Sequence, residues 1–227
     1  METRQRCLLI GNSRWHWADR ASDGVWRYTH SQPMPQALDS GAPLTAWAGV
    51  GPVRHRSLLR NDRRLDLDQI PLRDVPPWLG IDRALAGWGA WRQSGQTGAV
   101  MAVDAGTVLS LTRVTGDGRF DGGWLSAGLR LQLQAMARGT EALTEPRDTV
   151  ADVWHAARFP RDTGDAMHRG VLESLLGLIV SAQAQDPVPL WLCGGDAPSL
   201  LPALLNRGIE VSHAPDLVMQ SMVAVVS

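Results

Sequence analysis

Twice in this chain a short apolar run, long enough for one strand and no more, stops at a glycine turn followed by a hydroxyl or amide residue. The two copies are LLIGNSR at 8–14 and MAVDAGT at 101–107. Runs that are continuously apolar, rather than alternating, mark strands covered on both faces. Such runs stand at 7–10 and 99–103, with further strand-like segments at 25–30, 44–50, 109–114 and 188–193, and WHW at 15–17 as a packed strand segment. Helical spacing fills the intervals at 82–92, 128–139, 163–183, 197–208 and 215–226, with Thr163 as the expected N-cap of the third. That helix places Met167, Val171, Leu175 and Leu178 on one face. Strands alternating with helices predict an α/β architecture, and the likeness of GNS at 11–13 to AGT at 105–107 predicts two related halves. The polar, Pro-rich stretch at 60–80 reads as a connector between them, in its simplest form a solvated surface loop.

With 227 residues, 44% of them hydrophobic, the chain can build one large domain or two modest halves. A formal net charge of -1 and no block of like charges give no footprint for nucleic acid. After the basic start the apolar run ends at Gly11, too short for a signal peptide or a membrane span, which predicts a cytoplasmic protein with no membrane partner. Cys7 and Cys193 each sit in an apolar run and are expected buried and reduced. The six His form no HExxH and no close pair in sequence. Every basic residue counted as Lys or Arg is Arg, which excludes a P-loop ending in GK[ST] and any Schiff-base lysine. Phosphate chemistry here must rest on backbone N–H groups, Arg and a metal ion.

A strand ending in DxGT aims the carboxylate of Asp104 out of the sheet end, where it can hold a cation. The turn through Gly106 and Thr107 can cradle phosphate with its N–H groups. The plainer alternative is a strand-end turn capped by Asp and Thr. FDGGWLSAGL at 120–129 and CGGDAPSLL at 193–201 add glycines that let backbone come close to a ligand or to another strand, and three such turns at strand ends converge on one sheet edge. In LGIDR at 79–83, Asp82 can accept a proton from an attacking hydroxyl and Arg83 can bind carboxylate or phosphate, unless the pair is only a helix-start acid with a surface Arg. Arg14 either touches phosphate or forms a surface ion pair, and Trp78, just ahead of Gly80, either lines a substrate pocket or packs in the core as most of the ten Trp are expected to.

Taken in order, IGNSR, LGIDR, VDAGT, GGWLSAGL, DTGDAMHRG and CGGDA resemble the type III pantothenate kinases, a family of the acetate and sugar kinase/actin-like ATPase superfamily. The resemblance implies an α/β fold of two RNase-H-like (actin-like ATPase) halves, each a mixed sheet flanked by helices, here at 1–97 with the connector and at 98–227. It implies phosphorylation of pantothenate by ATP, the first step of coenzyme A biosynthesis, with Mg²⁺, a monovalent cation (K⁺ or ammonium) and a homodimer. Carried over residue by residue, Asp82 is the catalytic base, and Gly80, Ile81, Asp82, Arg83 and Thr163 bind pantothenate. Ile10, Gly11, Asn12, Ser13, Arg14 and Thr107 face ATP, and Asp104 holds the metal.

The family pattern D-x-G-N-[ST]-R departs at one place: Leu9 stands where an Asp faces phosphates and metal. Losing a transition-state contact of that kind costs about 3–4 kcal/mol. Two readings stay open, a kinase in which Asp104 and water compensate, and a relative that binds its ligands without turnover. A kinase of another small hydroxylated acid is a third.

Overall fold

The computed structural model describes residues 5–39, 43–51, 53, 56–146 and 158–227. Of the basic start, residues 1–4 lie outside them. The elements run β1 (Arg6–Ile10), β2 (Trp15–Arg20), β3 (Trp26–Ser31), α1 (Gln36–Asp39), β4 (Ala46–Gly49), α2 (Ile81–Gln93), β5 (Val100–Ala105), β6 (Val108–Val114) and β7 (Phe120–Ala127). They continue with α3 (Leu129–Gly139), α4 (Thr163–Gln185), β8 (Leu190–Cys193), α5 (Ala197–Asn206), β9 (Val211–His213) and α6 (Leu217–Val226). The chain is α/β with two mixed sheets flanked by helices, in strand orders β3-β2-β1-β4 and β7-β6-β5-β8-β9. Two compact units form: Met1–Ala99 with Val114–Asp121 and Asp216–Ser227, and Val100–Arg113 with Gly122–Pro215.

In the first unit β1 runs antiparallel to β2 and parallel to β4, and β2 runs antiparallel to β3. Both faces of β1 are covered, as its continuous apolar run requires. Leu8, Ile10, Trp15, Trp17, Trp47 and Leu59 build a core on one face. On the other face Cys7, Leu9, Ala18, Ala46 and Ala48 are buried, and α6 lies on β1 and β2 and packs along α2. Small residues permit that packing: a Cβ on Gly89 of α2 would land on Ser221 Oγ of α6 and 3.2 Å from Leu217 Cδ1. Gly89→Ala should cost about 1–3 kcal/mol through overpacking, less up to about 1 kcal/mol returned by helix propensity. Chemical denaturation of Gly89→Ala against Gly89→Ala/Ser221→Ala checks this, because removing the hydroxyl should recover most of the loss.

The connector is more than a solvated loop. Leu65, Ile70, Leu72 and Leu79 are buried, Leu65 N–H donates to Trp47 O at 2.7 Å, and Trp47 Nε1 donates to Arg60 O at 2.7 Å. Its leucines and Ile alternate with charged residues that stay in water, so a polar composition concealed an anchored segment.

In the second unit β5 and β8, and β8 and β9, pair in parallel. Val103, Leu111, Leu172, Leu176, Ile179 and Leu192 are essentially without exposure at its core. Met167, Val171 and Leu175 face inward as expected and Leu178 packs partly buried at the rim. The N-cap of α4 is Asp162, whose Oδ1 accepts from Gly164 N–H at 2.8 Å and Asp165 N–H at 3.1 Å. Thr163 is therefore the first helical residue, since a carboxylate next to it is the stronger acceptor for helix-end N–H groups. The expected turn at Gly122 and Gly123 is also corrected. Both lie inside β7 with φ of 84° and 151°, conformations that glycine adopts without a Cβ penalty while the strand continues. The strand end is at Gly128.

Candidate active site

At the start of α2 the N-cap is Gly80 and the next residues are Ile81, Asp82 and Arg83. Asp82 Oδ1 accepts the Arg83 backbone N–H at 2.9 Å. Burial raises the Asp82 carboxyl above the usual carboxylate range, outweighing the backbone N–H groups of Arg83 and Asp82 and the Arg83 charge, which act the other way. Burial also lowers the Arg83 guanidinium, against the opposing charge of Asp82. A Cβ on Gly80 would stand 2.5 Å from Asp82 Oδ1, so glycine leaves the space the carboxylate occupies. Arg83 lies over the Phe120 ring at 5.8 Å, and Phe120 meets Trp78 edge-on at 6.4 Å. Trp78 is 72% exposed, which fits a wall and not a core.

A cavity of about 860 Å³ in the same unit is lined by Gly49, Val50, Asp66, Trp78, Gly80 and Ile81 among others. Val50 N–H donates to Ile10 O at 2.9 Å, so the cavity reaches from the main chain beside the first glycine turn to the start of α2. In that turn Gly11 N–H donates to Arg14 O at 2.9 Å, and Asn12, Ser13 and Arg14 are exposed. Ile10 differs: its side chain belongs to the core, leaving only main chain for a ligand. Leu9 is 4% exposed, paired with His16 of β2 on one side and Ala48 of β4 on the other.

In the second unit Asp104 lies next to last in β5, partly buried, and Thr107 follows the strand, exposed. The two glycine turns that hold this loop are at 128 and 194. Gly128 N–H donates to Thr107 O at 2.9 Å, and a Cβ there would stand 2.7 Å from Thr107 O and closer still to Gly106 O. Gly194, at φ 92°, would put a Cβ 2.5 Å from Ala105 O and against Asp104 Oδ1, while Asp196 N–H donates to Ala105 O at 2.8 Å. A Cβ on Gly106 meets nothing closer than 3.7 Å, so its glycine is not demanded by protein neighbours. Sequence reasoning placed these glycines near a ligand or a strand; the backbone of the 104–107 loop is what two of them touch. Thr163, at the start of α4 in this unit, is exposed.

Among the described residues no group of three or more His, Cys, Asp or Glu could hold a metal ion. A protein-built cage is unnecessary for a Mg²⁺ carried on nucleotide, which keeps waters and takes one or two carboxylates besides phosphate. Asp104 and the main-chain oxygens beside it are an all-oxygen donor set and fit either Mg²⁺ or a monovalent cation. No helix among the described residues is long and apolar enough to cross a membrane.

Comparison with known proteins agrees with the family resemblance. The type III pantothenate kinase family profile matches residues 64–185, just over half of the chain. A type III pantothenate kinase of Synechococcus sp. (strain JA-3-3Ab) is 34% identical over 96% of this chain and 91% of its own. That of Synechococcus elongatus is 31% identical over 95% and 93%. In structure, a Campylobacter jejuni protein described as a Baf family transcriptional activator superposes with a TM-score of 0.62 at 20% identity, covering 97% of this chain and 96% of that one. The Clostridium difficile activator of 2-hydroxyisocaproyl-CoA dehydratase, solved with bound ADPNP, gives 0.55 at 11%, over 98% and 93%. These neighbours carry the actin-like ATPase fold, and by family profile and relatives together the chain belongs to the type III pantothenate kinase family.

Proposed function

We propose that this chain transfers the γ-phosphate of ATP to the primary hydroxyl of pantothenate, the opening reaction of coenzyme A biosynthesis, in the cytoplasm and as a homodimer. Asp82 carries the reading. Its carboxyl is raised by burial, pinned at one oxygen by a backbone N–H, and set against a glycine that leaves room beside it. A base whose pKa is lifted toward the working pH accepts a proton more effectively than an ordinary carboxylate.

In this reading the hydroxyl oxygen of pantothenate bonds to the γ-phosphorus, the bond to the ADP oxygen breaks, and the hydroxyl proton passes to Asp82. Gly80, Ile81, Arg83 and Thr163 bind pantothenate, with Arg83 offering a cation to its carboxylate. The main chain at 10 and 11, the exposed Asn12, Ser13 and Arg14, and Thr107 hold the phosphates. Mg²⁺ bound with ATP would neutralise phosphate charge, and Asp104 would offer an oxygen to a cation, including the monovalent K⁺ or ammonium. We also propose that the two RNase-H-like halves are residues 1–97 and 98–227.

Leu9 supports a second reading, a family member that binds substrates without turning them over, because its buried side chain offers no lone pair. Comparing the natural chain with Leu9→Asp for pantothenate-dependent ADP release separates the two. The kinase reading expects turnover in the natural chain, and activity confined to the variant would support the second.

A further inference from the structure

One row of the first sheet holds a chain of side chains outside the machinery described above. His30, His16, Leu9 and Ala48 are directly opposed across β3, β2, β1 and β4, so their side chains share one face. His16 Nδ1 lies 2.8 Å from His30 Nδ1, and His30 Nε2 lies 3.3 Å from Asp216 Oδ1. Asp216 is the N-cap of α6, yet its side chain makes no cap hydrogen bond. At the other end, His16 Nε2 is 3.2 Å from the point where a Cβ on Gly11 would stand. The chain therefore begins at a carboxylate and ends at the first glycine turn, beside Leu9.

The donors can be assigned in order. A carboxylate only accepts, so His30 Nε2 donates to Asp216. When His30 Nδ1 accepts, His16 donates from its Nδ1 and His16 Nε2 is left with a lone pair. Burial, then the neighbouring His30 and Arg14, lower His16 to about 4, so the ring is neutral near pH 7. The titratable groups around the row are His30 and Tyr28 from β3, Asp216 from α6, Cys7 from β1 and Arg14 from the turn. A carboxylate that orients and polarises an imidazole is the arrangement found behind metal-facing histidines.

We propose that His16, oriented by His30 and Asp216, accepts a hydrogen bond at Nε2 from a water of the divalent cation carried by nucleotide, supplying beside Leu9 the acceptor that Leu9 lacks. The inference rests on the reading of the 11–14 turn as a nucleotide phosphate site. An imidazole nitrogen is a poor direct ligand for Mg²⁺, which prefers oxygen, and a good acceptor for its bound water.

Binding of a non-hydrolysable ATP analogue, with Mg²⁺ and with chelator, tests it on the full chain. His16→Gln should weaken the Mg²⁺-analogue on the order of tenfold or more, with Asp216→Asn acting in the same direction and neither changing metal-free binding. Nitrogen NMR of the imidazoles, with His16 assigned from His16→Gln, should show a protonated Nδ1, and an Nε2 signal that moves when Mg²⁺-analogue is added. A protonated Nε2 in the free protein, equal losses with and without Mg²⁺, or no loss would overturn the role of His16. If the Asn12 and Ser13 amides still move with nucleotide in those cases, the phosphate-site reading survives. If nothing moves, both fall.

Discussion

Asp82→Asn is expected to lower the rate of phosphate transfer by about a hundredfold to ten-thousandfold while leaving the fold and nucleotide affinity in place. Asn keeps the shape and can still accept the Arg83 N–H, but it cannot take a proton from the attacking hydroxyl. Stability should move the other way or not at all. The Asp82 carboxyl is raised in the folded chain. The stability its neutral form contributes is therefore present at low pH and lost as pH rises through the raised folded value. Asn has no such dependence, so the variant should be as stable as the natural chain, or more so, above that range. The rising limb of kcat/KM with pH should lie above the ordinary carboxylate range in the natural chain and vanish in Asp82→Asn. Unchanged turnover would remove Asp82 from the reaction.

Gly194→Ala is expected to cost about 3–5 kcal/mol, combining left-handed backbone strain with overpacking against atoms that cannot swing away. The methyl would meet Ala105 O at 2.5 Å and press on Asp104 Oδ1, at a residue whose φ is 92°. At this size the midpoint temperature should fall by about 10 °C or more. Gly106→Ala is the matched contrast, because its nearest neighbours are at 3.7 Å and φ is not in the left-handed region. It should leave thermal stability within about 1 kcal/mol, while loss of nucleotide binding would show that its bare backbone faces a ligand. Equal destabilisation by both would contradict the division of labour between the glycines.

Much of the fold was legible because burial leaves a periodic trace. Continuous apolar runs marked β1 and β5, and the 3.6-residue pattern from Met167 onward marked α4. What escaped was set by partners remote in sequence. β7 was obscured by Gly122 and Gly123, whose positive φ sits within an extended strand, and β9 by having only Val211, Ser212 and His213, mostly exposed. The N-cap of α4 was displaced by one residue because local spacing cannot rank Asp162 over Thr163. At the site, the Asp82 neighbourhood could be read from LGIDR, since a helix start orders consecutive residues. The tasks of Gly128 and Gly194 depend on which backbone lies opposite, which no local pattern states. The meeting of His16 and His30 was available only through hairpin register: with the strands at 15–20 and 26–31 in antiparallel pairing, the two face each other.

Phosphorus NMR of the reaction mixture from the natural chain with ATP, Mg²⁺, K⁺ and pantothenate tests the central claim most directly. The expected result is a new phosphomonoester on the primary hydroxyl of pantothenate, formed in step with ADP and absent with Asp82→Asn. ATP that remains intact, or that yields only inorganic phosphate whether or not pantothenate is present, would contradict it.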